Sequence, residues 1–126
     1  MTDLISKRAS TERKMFMSIE QSTLDELVKG ILEIIGGTVN AIVLYGSVAR
    51  GTADKDSDVD IALIINDSLS PADDDRLADF VVDMNLKYNK VFSVIDIAAA
   101  EYRKWREIIP FYKNVVKEGV VLWKAA

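Results

Sequence analysis

The sequence predicts a small α/β (α+β) domain: a mixed β-sheet with helices on one side. Three observations predict it. Residues 23–35 place apolar side chains at helical spacing. Two short runs, "AIVLY" and "VDIALII", are rich in β-branched residues and read as strands. A capped helix beginning at Ser70-Pro71 then leads into a third strand-like run, "VFSVIDIA".

In chain order, residues 1–17 are polar, mixed in charge and without period, and read as a flexible N-terminal arm. The domain proper then occupies 18–126. Leu24, Leu27, Val28, Ile31, Leu32 and Ile35 form one face of the first helix. Thr23 and Glu26 make a capping-box pattern, and Gly36-Gly37 supplies the stop. A strand is expected over 38–45 and a second over 59–65. Ser70 as N-cap, Pro71 at the first helical position and Asp73 to Asp75 at the positive end open the next helix. Leu77, Phe80, Val81, Met84 and Tyr88 give it an apolar face. Residues 91–98 form a third strand, 101–109 a short helix ended by Pro110, 111–117 one further turn, and 120–123 an edge strand.

The 126 residues, 49% hydrophobic, suit a single compact domain. With no cysteine and no histidine, disulfides, thiolate or imidazole metal sites and histidine-based catalysis are excluded. Any bound metal must sit among oxygen ligands, which favours magnesium, calcium or manganese. A net charge of -4 argues against long nucleic acid as a partner. No run of 18 apolar residues and no signal-peptide core is present, so neither a membrane span nor secretion is expected, and the cytoplasm is the default compartment.

The segment "LYGSVARGTADKDSDVDIALII" carries aspartates at 54, 56, 58 and 60. Asp54 and Asp56 read as solvated residues of an acidic turn, Lys55 as solvated, and Ser57 as a turn cap. Asp58 and Asp60 open a strand, where alternate residues share a face about 6–7 Å apart. Two carboxylates at that separation repel by roughly 2–3 kcal/mol at an effective dielectric near 20, and a cation between them relieves the strain. An EF-hand loop does not fit: starting at Asp54, the glycine and glutamate it requires at positions six and twelve are Val59 and Ile65, and starting at Asp56 they are Ile61 and Asp67. Asp96, bracketed by apolar residues, reads either as a strand-end acid meeting an arginine or as a third carboxylate joining Asp58 and Asp60 around one or two magnesium ions.

Upstream, Gly46 permits a tight turn, and Ser47 is placed to cap the helix that follows, with backbone N–H groups free for a phosphate. Arg50 reads equally as a phosphate contact or as a partner of a loop aspartate. Gly46-Ser47, ten residues, then Asp58-Val59-Asp60 places a phosphate cradle beside paired carboxylates.

"GSVARGTADKDSDVD" resembles the signature of the DNA polymerase beta-like nucleotidyltransferase superfamily, and "ARG" with "SDVD" resembles its minimal nucleotidyltransferase (MNT) branch. The likeness covers roughly residues 22–123. It implies a polymerase beta-like palm fold with Gly46 and Ser47 on the nucleotide's phosphates. It implies Asp58 and Asp60 on the metal that carries the triphosphate, Asp60 and Asp96 on a second metal, and transfer of a nucleoside monophosphate with loss of pyrophosphate. ATP is the nucleotide the resemblance favours.

Larger members of the superfamily carry acceptor-binding domains, and an acceptor surface here is expected to come from elsewhere. In MNT proteins it comes from a HEPN-type partner within a toxin–antitoxin pair. There the MNT chain, as antitoxin, transfers AMP to a tyrosine of the toxin. The resemblance therefore implies a hetero-oligomer and a magnesium-dependent protein adenylyltransferase. Two other readings stand beside it: transfer to a small molecule such as an aminoglycoside, and a non-catalytic module that neutralises a partner by contact. Tyr102, Trp105, Phe111, Tyr112 and Trp123 read as core packing or as an interface.

Overall fold

The computed structural model describes residues 19–126, and the expected arm over 1–17 lies outside them. Helix α1 spans Gln21–Ile35 and turns through a 3-10 segment, Gly36–Thr38, into strand β1, Val39–Tyr45. A five-residue helix α2, Gly46–Arg50, precedes β2, Val59–Ile65. Helix α3, Pro71–Tyr88, leads to β3, Phe92–Ala98. Helices α4, Ala99–Trp105, and α5, Pro110–Glu118, precede β4, Val120–Lys124.

The four strands run in the order β3-β2-β1-β4. β1 is antiparallel to β2 and β4, while β2 and β3 are parallel, so the sheet is mixed as the sequence predicts. The parallel pair needs a crossover, and α3 supplies it.

Alternation along the central strands divides the apolar residues between two faces. Ile42 and Leu44 of β1, and Val59, Ile61, Leu63 and Ile65 of β2, pack with Leu24, Leu27 and Ile31 of α1 and Leu77 and Met84 of α3. Val43, Ala62, Ile64 and Ile97 face the other way and meet Ala99 of α4 and Val115 of α5. The two long helices therefore form the expected layer on one side, and the short C-terminal helices shield part of the reverse face. Pro110 opens α5 as its first helical residue, which is why the run after it is a full helix and not a single turn.

Local signals act unevenly. Ser70 caps α3, its Oγ accepting from the Asp73 N–H at 3.1 Å, with Pro71 next. The capping box at Thr23 does not form. The helix starts two residues earlier with Glu20 at the N-cap, and Thr23 is buried within the first turn. Thr23 lies four residues before Leu27, so it shares the helix face that enters the core. At the far end of α3, Asn89 adopts a left-handed conformation, φ 50°, and the Asn85 side chain accepts from the Phe92 N–H at 2.8 Å, fastening the helix end to β3.

α1 and α3 touch where Gly30 faces Phe80. A Cβ at Gly30 would fall 2.0 Å from the Phe80 ring. Gly30→Ala should therefore destabilise the domain by about 1–3 kcal/mol, despite alanine's better helix propensity. A thermal melt reads the loss, and Phe80→Leu in the same chain should recover part of it. An unchanged melting temperature for Gly30→Ala would show that the ring moves freely. The same helix pair is joined by Glu26, which accepts from the Tyr88 hydroxyl and from Lys87 Nζ at 2.9 Å.

Candidate active site

The end of β1 and the start of β2 lie side by side, with Tyr45 paired to Asp60. The chain leaves β1 through Gly46 at φ +76°, a left-handed conformation that side chains disfavour. A Cβ on Gly46 would stand 2.3 Å from Oδ2 of Asp60. Glycine is thus required twice, by its own backbone and by the carboxylate that fills the space beside it.

Ser47 does not cap α2. Tyr45 occupies the N-cap position without a side-chain cap bond, and Ser47 is already helical. Its carbonyl instead receives the Thr52 N–H at 3.0 Å, closing the loop behind the helix. Val48 and Ala49 are buried and anchor α2 to the sheet. The following turn is held by its own side chains, as expected. Asp54 accepts from the Asp56 N–H at 2.8 Å, and Ser57 Oγ accepts from the Asp54 N–H at 3.0 Å.

Asp58 is exposed, Val59 is fully buried, and Asp60 is half-buried. Asp60 extends from the same sheet face as Tyr45, away from α1 and α3. Burial, and then the neighbouring Asp58 charge, push its carboxyl above the ordinary 3.8, against a smaller opposing pull from Arg50. Burial and the Asp60 charge also push the Tyr45 phenol up, so it stays neutral beside the carboxylates. Arg50 pairs with neither a loop aspartate nor an empty surface. Its guanidinium meets Glu118, the last residue of α5, at 3.2 Å.

Asp96 does not join the pair. In the parallel register Asp60 lies beside Ser93, whereas Asp96 lies beside Leu63. Leu63 faces α1 and α3, so Asp96 extends from the opposite side of the sheet to Asp60. There it borders a shallow hollow of about 300 Å³ against α3, with Val81 and Val94. The three-carboxylate cluster is therefore corrected to two, and among the described residues no three acids converge as a metal group. The reason is parity: Ser93 and Asp96 are three apart, and a strand turns such residues to opposite faces.

The pair that remains fits a hard divalent cation. Magnesium is commonly held by one or two carboxylates with substrate phosphates and water completing its shell. The mutual repulsion of Asp58 and Asp60 is the unmet demand such an ion would satisfy. Sequence reasoning missed Tyr45, Ser93 and Glu118. The first could have been found from its place beside Gly46, whereas the other two depend on strand register and on how α5 docks.

A mixed sheet whose central strands bring a glycine turn against paired carboxylates defines the nucleotidyltransferase class of α/β domain. The chain belongs to the polymerase beta nucleotidyltransferase family, whose model, "Polymerase beta, Nucleotidyltransferase", matches residues 29–126. It is accordingly a nucleotidyltransferase. It is 33% identical over 104 residues to "Putative protein adenylyltransferase MJ0604" of Methanocaldococcus jannaschii, covering 82% of this chain and 98% of that one. A second protein of that organism, "Putative protein adenylyltransferase MJ0141", is 28% identical over 57% of this chain and 73% of its own length. Among solved structures, a toxin–antitoxin MntA–HpeT crystal structure superposes with a TM-score of 0.54 at 22% identity, over 80% of this chain and 72% of that one. A toxin–antitoxin structure with AMP-PNP superposes with a TM-score of 0.54 at 20% identity, over 79% and 73%. These two structures share the fold.

Proposed function

We propose that this chain is a magnesium-dependent adenylyltransferase that moves AMP from ATP to a hydroxyl of a partner protein, as the antitoxin of a HEPN-type toxin. The observation that carries the reading is the Asp58–Asp60 pair seated against the Gly46 turn. The names of the Methanocaldococcus jannaschii relatives favour a protein acceptor and an adenylyl group. The toxin–antitoxin structures, one of them with AMP-PNP, favour the partner class and the nucleotide.

The roles follow from the placement of each group. The backbone N–H groups after Gly46, with the Ser47 hydroxyl, hold phosphate oxygens. Asp58 and Asp60 hold the magnesium that accompanies the triphosphate. When bound, that ion neutralises phosphate charge and polarises the reacting phosphorus centre. Arg50, which keeps its pair with Glu118, adds a charge-assisted contact to the triphosphate at the rim of the site through its remaining N–H groups. The acceptor hydroxyl oxygen forms a bond to the α-phosphorus and gives its proton to water, the bond from the α-phosphorus to the bridging oxygen breaks, and pyrophosphate leaves with that electron pair. Tyr45, neutral and half-buried, flanks Asp60 across the ladder and adds no charge of its own to the site.

Calorimetric titration with each of the four nucleoside triphosphates tests this reading. With magnesium, ATP should bind most tightly, and EDTA should weaken it at least about tenfold, a difference of roughly 1.4 kcal/mol. Equal binding of all four would overturn the choice of adenine. Binding indifferent to EDTA would overturn the magnesium site.

A further inference from the structure

A second hard divalent ion beside Asp60 would need oxygen ligands of its own, and carboxylates retain such an ion best. Asp60 is the one site carboxylate set within the sheet, so its neighbours can be read from the ladder. Across β1 its partner is Tyr45, and across β3 it is Ser93. Two residues further along the same face stand Ala62 and Ile95, packed in the reverse-face cluster. Asp58 lies just before β2, two residues ahead of Asp60, and Glu118, the acid that the structure brings to Arg50, is engaged by it. The β3 acid, Asp96, faces the other way.

We infer that this site is built for a single divalent ion on Asp58 and Asp60, with the neutral Ser93 standing where a second ion would need a carboxylate. The inference rests on the nucleotidyltransferase site proposed above and limits what that site holds. A serine hydroxyl is a weak neutral ligand, so the second position lacks the charge to retain a hard cation. The acceptor hydroxyl must then be activated without a second ion held by the described residues. Ser93 is half-buried on the correct face, and one substitution there would supply the missing charge.

Counting bound Mn2+ by electron paramagnetic resonance, with one equivalent of a non-hydrolysable ATP analogue, tests it without reference to turnover. Wild type should hold one ion per chain, Asp96→Asn should leave that count unchanged, and Ser93→Asp should raise it to two. A count of two in wild type overturns the inference, whether or not Asp96→Asn removes the second ion. A folded Ser93→Asp that still binds one overturns the assignment of Ser93. A count of zero in wild type overturns the carboxylate site itself and the function proposed from it. Should Ser93→Asp fail to fold, the wild-type and Asp96→Asn counts decide.

Discussion

Replacing both site carboxylates, Asp58→Asn with Asp60→Asn, should reduce nucleotidyl transfer by about 10³-fold or more, equivalent to roughly 4 kcal/mol of transition-state stabilisation. The fold should survive. Asp58 is exposed, and asparagine fills the same space as Asp60 without its charge. Stability separates loss of chemistry from loss of structure, and its direction follows from the raised carboxyl of Asp60. A raised folded-state value means the folded chain binds the proton more tightly than the unfolded one. That contribution is fully present below about the ordinary 3.8 and is lost as pH rises through the folded value. At neutral pH, without metal, the ionised Asp60 therefore weakens the fold, and Asp60→Asn should melt at the same temperature or higher. Magnesium with nucleotide should raise the melting temperature of wild type and leave the double variant unmoved. Near-wild-type transfer by the double variant would sink the catalytic reading. Neutralisation of a co-expressed partner by an inactive double variant would instead show that contact alone suffices.

The second large effect is expected at Gly46. Gly46→Ala forces a side chain into φ +76° and puts a methyl group 2.3 Å from Oδ2 of Asp60. The backbone part alone is about 1–2 kcal/mol. The steric part moves Asp60, so transfer should fall by at least about 100-fold, more than the stability loss accounts for. A double-mutant cycle separates the two. In an Asp60→Gly background the space beside residue 46 is vacated, and Gly46→Ala should there cost stability only through its backbone. Equal stability losses in both backgrounds would show that the carboxylate and the glycine are not in contact.

Much of this architecture is legible in the chain because its signals are local. Ser70-Pro71 opens α3 through a cap bond that needs nothing beyond the next three residues. The alternation of Val59, Ile61, Leu63 and Ile65 specifies a strand with one face in the core. The spacing from Gly46-Ser47 to Asp58 and Asp60 was readable for the same reason: β1 and β2 are consecutive strands that pair directly. What failed was non-local. "VFSVIDIA" offers two polar residues of opposite parity, and only its register against β2 decides which one meets Asp60. The bracketing of Asp96 by Ile95 and Ile97 suggested burial, yet β3 is an edge strand and Asp96 is exposed. Thr23 misled because a residue with capping chemistry also lay on the core stripe, where burial prevailed over the local signal. Glu118 could not be paired with Arg50 from sequence, since 68 positions separate them.

The pairing of Tyr45 with Asp60 also bears on what this chain tolerates when its length changes. Both ends of the intervening segment are clamped by the ladder, so the loop around Lys55 and Asp56 closes a gap whose width is already set. Doubling such a loop adds only about 0.6 kcal/mol of closure entropy. A peptide tag or a natural insertion there would leave the two carboxylates in place. Removing a single residue between Asp60 and Leu63 is a different matter, because it reverses the inward and outward sense of everything on one side of the cut. Length is thus free to change only at the tip of the interval, around Lys55 and Asp56, while α2 with its buried Val48 and Ala49 and the strand beside it can lose nothing.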